Sequence, residues 1–500
     1  MRPSRARRVS IGLLTAVFVA GCIQGQDYRR PTVDAPAGWE QMGLKDAAST
    51  EQVSTQTLPN AEWWRAFEND ELSRLVEQAL EHNHDVRRAA YRVMEGQAIM
   101  VSAGAGLYPQ VNLQGGYTNL MISRNTLAGL GLATGVRPGP QVFAAPGTSF
   151  DLWNAAADLR WELDLWGRIR RGLEAATAEA GALEQDRRAV ALRLISEVGQ
   201  AYFRLRELDE QTAISEHNLA IRQESLDIIR TRASVGLASE LDVQRAEVLV
   251  KESASQIPEW TRLRTVELHR LEVLTGSSPG TLDLPPKLLR AVVVQPEIPV
   301  GLPSQLLERR PDILQAEHGL IAANARIGEA RAYFFPALSI TGQGGLQSVE
   351  FTNWFTAGSR FYSIGPSLTL PIFLGRTNVA RLDAAASRYE QMLEGYRQTI
   401  LVAFREVADL LVSIRQRTEQ LARQREQTLA AKRAVELAQI RYRKGLVNYL
   451  DVLDAERTML SSETQLVSTE RARLIDMVNL YKALGGGWEL TPADRPTSHS

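Results

Sequence analysis

Most of this chain is written twice. Asn83-His84-Asp85-Val86 and Pro109 are matched 227 positions later by Arg310-Pro311-Asp312-Ile313 and Pro336. Gly167-Arg168 is matched by Gly375-Arg376. Gly236-Leu237 with Leu241-Asp242-Val243 is matched by Gly445-Leu446 with Leu450-Asp451-Val452. A period of about 210 residues is far beyond the roughly 20–50 of stacked repeat proteins. It implies two similar halves of one body. Each half runs helix, strand pair, very long helix, tight turn, helix.

The strand pairs carry a two-residue period. Val111, Leu113, Gly115 and Tyr117 alternate with Asn112, Gln114, Gly116 and Thr118. Leu159, Trp161, Leu163 and Leu165 alternate with Asp158, Arg160, Glu162 and Asp164. Four charges opposite four apolar groups exclude a strand buried on both faces. In the second half Leu338 and Ile340 alternate with Ser339 and Thr341, and Ile364, Pro366, Leu368 and Leu370 with Ser363, Ser367 and Thr369. Two readings fit: a half-buried sheet on a soluble core, or the wall of an outer-membrane barrel, apolar outside and polar inside. Trp153, Trp161, Trp166, Trp354, Phe355 and Phe361 near the strand ends resemble the aromatic belts of membrane interfaces. Four strands cannot close a barrel, since about eight is the smallest number that does. The barrel reading therefore requires at least two chains. Pro109 and Gly167 are 58 positions apart and Pro336 and Gly375 only 39. The first hairpin thus carries an insertion, rich in Gly, Pro and Ala around 128–148, which suits a long outer loop.

Residues 173–235 and 378–444 contain no proline and few glycines. As helices they reach about 90–100 Å at about 1.5 Å per residue, a length that means a coiled coil or a bridge between compartments. The returning helices, 240–275 and 449–484, are about half as long. Each shorter helix, stacked on the one preceding a hairpin, would match one long helix. A helical pattern from about Asp70 to Ala103 precedes the first hairpin. Residues 276–311, with seven prolines, read as the connector between repeats 69–275 and 312–484. The hairpins themselves fall at 109–166 and 336–374, and 485–500 is a tail.

The N-terminus reads as an address. Arg2, Arg5, Arg7 and Arg8 precede an apolar stretch, Val9 to Ala20, too short to span a bilayer. Val19-Ala20-Gly21-Cys22 contains the chain's only cysteine. A lone cysteine makes no internal disulfide, and its place suggests a bacterial lipobox. Residues 1–21 would then be removed, and Cys22 would carry diacylglycerol and palmitate. Residues 22–68 follow as an irregular N-terminal tether. The formal net charge of −1 gives no bulk attraction to nucleic acid. No zinc-protease, Walker or nucleophile-elbow motif and no metal-spaced Cys/His set occurs, so neither an enzyme nor a cofactor is expected.

The turns that end the long helices are the most informative local sites. Gly236 and Gly445 can stop each helix in a left-handed conformation. Ser239 and Asn448 can cap the next, with Asp242 and Asp451 in the capping-box position. Asp454 shares a helix face with Asp451, which is mildly unfavourable unless solvent or a cation compensates. The plain reading of all three acids is caps and a solvated face.

These residues, with Trp63-Trp64, Gly301-Leu302-Pro303, Arg309-Arg310-Pro311-Asp312, Tyr442, Asp451-Val452-Leu453-Asp454-Ala455 and Leu484-Gly485-Gly486-Gly487-Trp488, resemble the TolC family of outer-membrane efflux ducts, in its OprM/NodT-like lipoprotein branch. The resemblance covers essentially the whole chain after Cys22. It implies a mainly α fold with membrane β, in which a homotrimer forms a twelve-stranded barrel and a long periplasmic helical tunnel. It implies a periplasmic gate in which Asp242 pairs with Tyr442 and Asp451 and Asp454 make an acidic constriction. It also implies a periplasmic adaptor (membrane fusion) protein, an inner-membrane RND-type pump and outer-membrane lipid as partners. One departure stands out: Val447 occupies the place of a gating arginine, so any salt-bridge lock differs, with Arg443 or Lys444 as substitutes. The expected function is passive outer-membrane conduction of small toxic compounds. A duct for protein secretion and a pore-less coiled-coil scaffold lipoprotein are the alternatives.

Overall fold

The computed structural model describes residues 23–34, 36, 38, 62–121, 149–292 and 303–486. The expected signal segment, Cys22, the 128–148 insertion, Gly301-Leu302 and Gly487-Trp488 lie outside them. The first copy comprises α1 (Asp70–His82), α2 (His84–Gly104), β1 (Gln110–Met121), β2 (Ser149–Leu163), α3 (Arg168–Ser234) and α4 (Glu240–Leu274). The second comprises α5 (Pro303–Arg309), α6 (Pro311–Ala332), β3 (Ala337–Ser348), β4 (Arg360–Thr369), α7 (Thr377–Arg443) and α8 (Tyr449–Ala483). The long helices α3 and α7 have 67 residues each and the return helices α4 and α8 have 35 each. That is about 100 Å and about 50 Å.

The described residues form two compact units. One holds the sheet. Its four strands are antiparallel in the order β1-β2-β3-β4, so the two hairpins join edge to edge through β2 and β3. The register settles the faces, because directly paired residues share one. Leu113 pairs with Ala157 and Ala157 with Gly344, while Leu159 pairs with Val111 and Gly342, and Gly342 with Ile364. Asn112 pairs with Asp158 and Asp158 with Gln343, which pairs with Ser363. One face is therefore apolar across all four strands and the other amide- and hydroxyl-rich. Gly345 has no room for a side chain, since a Cβ there would stand 2.1 Å from the Ala155 carbonyl oxygen.

Aromatics mark both ends of the apolar face. Trp153 packs with Tyr117, Phe351 and Trp354 at one end. At the other, Trp161 donates to the Leu107 carbonyl (3.0 Å), and Trp166 stacks on Phe335 and donates to the Pro336 carbonyl (2.8 Å). Trp153 and Trp161 are separated by about 26 Å of strand, or about 20 Å after a barrel-like tilt of roughly 40°. That is close to the ~25 Å apolar band of outer-membrane barrels. Phe361 is the exception among the expected belt residues. It pairs with Gly345, which places it on the polar face.

The same unit holds residues 23–29, which have no regular structure yet are firmly held. Arg171 donates to the Gln24 and Gly25 carbonyls (3.0 and 3.1 Å) and to Asp27 (2.9 Å). Gly25 lies against Gly328 so closely that a Cβ would come within 2.6 Å of Gly328 Cα.

The other unit is helical. The expected tether ends here in a core plug. Trp63, Trp64 and Phe67 form a buried 3-10 turn, and Trp63 stacks on Tyr481 at 4.9 Å. Leu72, Val76, Phe203, Leu205, Leu271 and Leu474 complete that core. Arg206 is fully buried beneath it, held by Glu71 (2.8 Å), Asp209 (2.6 Å) and the Pro285 carbonyl (2.8 Å).

The helix expected from Asp70 to Ala103 is broken at Asn83. Asn83 is extended, and its carboxamide oxygen accepts from Asp85 N (2.8 Å) while its amide donates to the Leu274 carbonyl (3.0 Å). One side chain thus starts α2 and ends α4. The duplicated position, Arg310, likewise ends α8, donating to the Ala483 carbonyl (3.0 Å), and it reaches α6 and α7 by donating to Asp312 and Glu406. Left-handed Gly276 and Gly485 bring the chain past His82 and Arg309 at these joints. Each return helix is therefore seated end to end on the next short one, as the lengths imply.

Candidate functional site

The two turns that end α3 and α7 lie in the helical unit and are built alike. Gly236 (φ 76°) and Gly445 (φ 73°) are left-handed. Leu237 N donates back to the Arg232 carbonyl (2.8 Å) and Leu446 N to the Arg441 carbonyl (2.9 Å), closing Schellman motifs. Ser239 then caps α4. Its hydroxyl donates to the Asp242 carboxylate (2.7 Å) and accepts from Asp242 N (3.2 Å). At the second turn Asn448 N donates to the Asp451 carboxylate (3.1 Å). The capping roles of Asp242 and Asp451 are thus present.

The turns share an apolar cluster of Leu226, Ile229, Val243, Tyr442, Tyr449 and Val452, with Val447 packed against it. Tyr442 is buried there, 5.5 Å from the Tyr449 ring. Its phenol pKa is pushed up, chiefly by burial and further by the Asp242 charge, with Arg232 opposing. Asp242 and Tyr442 are neighbours in this electrostatic sense but share no hydrogen bond. The cation on Tyr442 is Arg232, whose guanidinium lies 4.8 Å from the ring centroid and donates to the Tyr442 carbonyl (2.9 Å). This tie crosses from the first copy to the second. Of the cations suggested by sequence, Arg443 faces Glu224 at 3.4 Å with both side chains exposed. Lys444 lines an open groove between the turns together with Asp227, Thr231, Arg232 and Leu237. Asp454 is exposed and stands 3.9 Å from Arg457, a solvated helix face in the single chain.

Two buried groups near the turns escaped the sequence reading. Glu456 accepts from Ser225 (3.0 Å) and Gln439 (3.4 Å), so it bridges α3, α7 and α8. Burial raises its pKa against the pull of Ser225, Gln439 and Arg222. Arg222 donates to Ser253 (2.7 Å) and to the Leu249 carbonyl (3.0 Å). The available signal was spacing: Val452, Glu456 and Met459 form one buried stripe on α8. Nothing comparable marks Arg232. Among the described residues no group of acids and histidines could hold a metal ion, and no helix is long and apolar enough to cross a membrane.

A sheet apolar on one face, polar on the other and ringed by aromatics, joined in each copy to helices of about 100 Å, defines an outer-membrane duct. The chain belongs to the outer membrane efflux protein family, whose profile matches residues 75–277 and 302–486. It is 34% identical to the solvent efflux pump outer membrane protein SrpC of Pseudomonas putida, over 96% of this chain and 99% of that protein. It is 32% identical to the cation efflux system protein CusC of Escherichia coli K12, over 94% of this chain and 98% of that one. The solved MtrE outer membrane channel of Neisseria gonorrhoeae superposes with a TM-score of 0.77 at 29% identity, over 93% of this chain and 98% of that chain. The fold is thus TolC-like, and the protein is an outer-membrane efflux channel, a transport protein and not an enzyme. Channels of this family work with an adaptor and an inner-membrane pump.

Proposed function

We propose that three copies of this chain pool their strands into a twelve-stranded barrel, and that the paired turns form a periplasmic gate. The observation that carries this is the sheet. It is antiparallel, apolar on one face, and among the described residues leaves β1 and β4 as unpaired edges. An unpaired edge in lipid costs several kcal/mol per unsatisfied backbone group, roughly, so closure by further copies is the stable solution. Tyr442, held by Arg232 and influenced by Asp242, keeps the gate shut, while Asp451 and Asp454 present carboxylates that favour cations. A periplasmic adaptor and an RND-type pump engage the turns. Cys22 carries diacylglycerol and palmitate, which add membrane affinity at about 0.8 kcal/mol per buried CH₂. The cargo is small toxic compounds, in keeping with relatives described as solvent and cation efflux proteins. A pore-less scaffold would have no use for the alternating sheet faces.

Purified full-length protein tests this. Heat-modifiable trimers that conduct ions in planar bilayers are expected. Trimers without conductance would favour the scaffold, and single chains would remove the barrel. Cys22→Ser is expected to abolish incorporation of radiolabelled palmitate.

A further inference from the structure

The two copies differ at the end of the sheet where the strands run into the long helices. In the first copy, two acids hold the arginines that follow. Glu162 binds Arg168 with both oxygens (2.9 and 2.7 Å), and Asp164 accepts from the Arg170 backbone (2.8 Å) and side chain (3.3 Å). Gly167-Arg168 corresponds to Gly375-Arg376. At the same offset Glu162 and Asp164 become Leu370 and Ile372. The arginine is kept and both carboxylates are lost.

The consequence is visible on the surface. The apolar row of β4, with Ile364 and Leu368 on one face, ends with the strand at Thr369 and is followed in irregular backbone by Leu370 and Ile372. All four are exposed, and Ile372 and Phe373 reach 90% and 86%. Arg376 follows at once. Among the described residues no carboxylate pairs with Arg376 or with Arg331, and both are exposed. Arg381 lies over the Tyr333 ring at 4.1 Å, and its one hydrogen bond is to Asn378 (3.3 Å). The first copy's Arg168 reaches the same ring, at 5.5 Å. Asn378 donates to the Tyr333 carbonyl (2.7 Å) and so ties the start of α7, with Arg376 just before it and Arg381 within it, to the segment that follows Arg331.

We propose that Arg376, Arg331 and Arg381 bind the phosphate of a membrane phospholipid, with the acyl chains laid along Leu370, Ile372 and Phe373. Guanidinium groups match phosphate oxygens in bidentate geometry. The apolar row fixes the depth, since it ends where a headgroup begins. The ligand supplies the negative charge that Glu162 and Asp164 supply in the first copy. The site is one per chain and belongs to the second copy alone. A free phosphate ion shares the charge chemistry but not the acyl contact.

Full-length protein in dodecyl maltoside tests this with wild type, Arg376→Gln, Arg376→Gln/Arg381→Gln and Arg376→Lys. The probes are phosphatidylglycerol, uncharged monoolein and inorganic phosphate, read by thermal melting, with co-purified phospholipid counted by mass spectrometry. Phosphatidylglycerol is expected to raise the melting temperature of wild type, and the Gln variants to lose that shift. Retained phospholipid per chain is expected to fall by about twofold or more in the double variant, with Arg376→Lys intermediate. Equal retention and equal shifts in all variants would overturn the site. So would an equal shift with inorganic phosphate alone, which would show a simple anion site. Variants that fall apart into single chains with unchanged lipid would show that these arginines serve a neighbouring copy instead.

Discussion

One oxygen of Glu456 accepts hydrogen bonds from Ser225 and Gln439, and the other has no partner among the described residues. Its surroundings are Ser225 and Arg222 of α3, Gln439 of α7 and Tyr449 of its own helix. Arg222 is committed to Ser253 and Leu249, so the neutral acid is favoured. Its pKa is raised above the ordinary 4.5 in the folded protein. The folded state then holds the proton more tightly than the unfolded one. This stabilisation is full below pH 4.5 and is lost as pH rises through the raised value. Glu456→Gln removes the proton but keeps the shape. The melting temperature of wild type is therefore expected to fall relative to Glu456→Gln as pH is raised from about 4.5 to 8. A difference that stays flat with pH would rule this out. Gly345 gives a second residue-scale test. A Cβ there meets the β2 backbone, whereas one at Gly365 meets nothing within 4 Å. Gly345→Ala is expected to destabilise the sheet by about 1–3 kcal/mol or more and to deplete heat-resistant assemblies. Gly365→Ala, on the adjacent strand and the same face, leaves them intact. Similar gel patterns for the two would show that β2 and β3 can separate at no cost.

At the scale of elements, local chemistry was readable and distant pairing was not. The return helices expected at 240–275 and 449–484 are Glu240–Leu274 and Tyr449–Ala483. Glycine stops and Ser/Asn caps act within a few residues of the chain. The alternation of β2 likewise announced its two faces, because the pleat has a period of two. The break at Asn83 was missed since helical apolar spacing runs through it, and what opens the helix is a carbonyl 191 residues away. Trp63 and Trp64 read as the end of a tether because the residues before them have a loop's composition, while their burial depends on Tyr481. The same holds for the node beneath that core. Arg206 draws on Glu71, Asp209 and the Pro285 carbonyl, and Arg264 on Asp209 (2.6 Å). No single segment contains that set. Arg206→Met removes the buried cation shared by Glu71 and Asp209, leaving them the half-exposed Lys287 (3.5 Å) and Arg264 (2.6 Å), and removing one partner of a buried pair costs about 3–5 kcal/mol. Denaturant unfolding is expected to show a loss of that size. A loss under about 1 kcal/mol would mean that Arg264 and Lys287 compensate.

At the scale of the whole molecule, duplication supplies the frame and its imperfections distinguish the two turns of the proposed gate. At the offset of the turns, Tyr442 corresponds to Ala233, and Asp454 to Arg245. Only the second copy therefore offers an aromatic ring for a cation to cover, and only the first copy's Arg232 covers it. The tie consists of a cation–π contact and a charge-assisted bond to the Tyr442 carbonyl. The guanidinium is partly solvated, so the pair contributes about 1–2 kcal/mol per chain. In the proposed trimer, with its three gates opening together, this amounts to about 3–6 kcal/mol, and each 1.4 kcal/mol changes the open fraction about tenfold. Arg232→Gln is accordingly expected to raise the open probability in planar bilayers by at least tenfold, with trimers intact. Tyr442→Phe keeps both the ring and the carbonyl and is expected to change little. Tyr442→Ala should behave like Arg232→Gln. Asp454→Asn separates conduction from gating, since it is expected to weaken cation preference, read as a shift in reversal potential under a salt gradient, without changing how often the channel opens. Should Tyr442→Phe open the channel as fully as Arg232→Gln, the phenol hydroxyl would be the holding group. The influence of Asp242 on that phenol, rather than the Arg232 tie, would then set the gate.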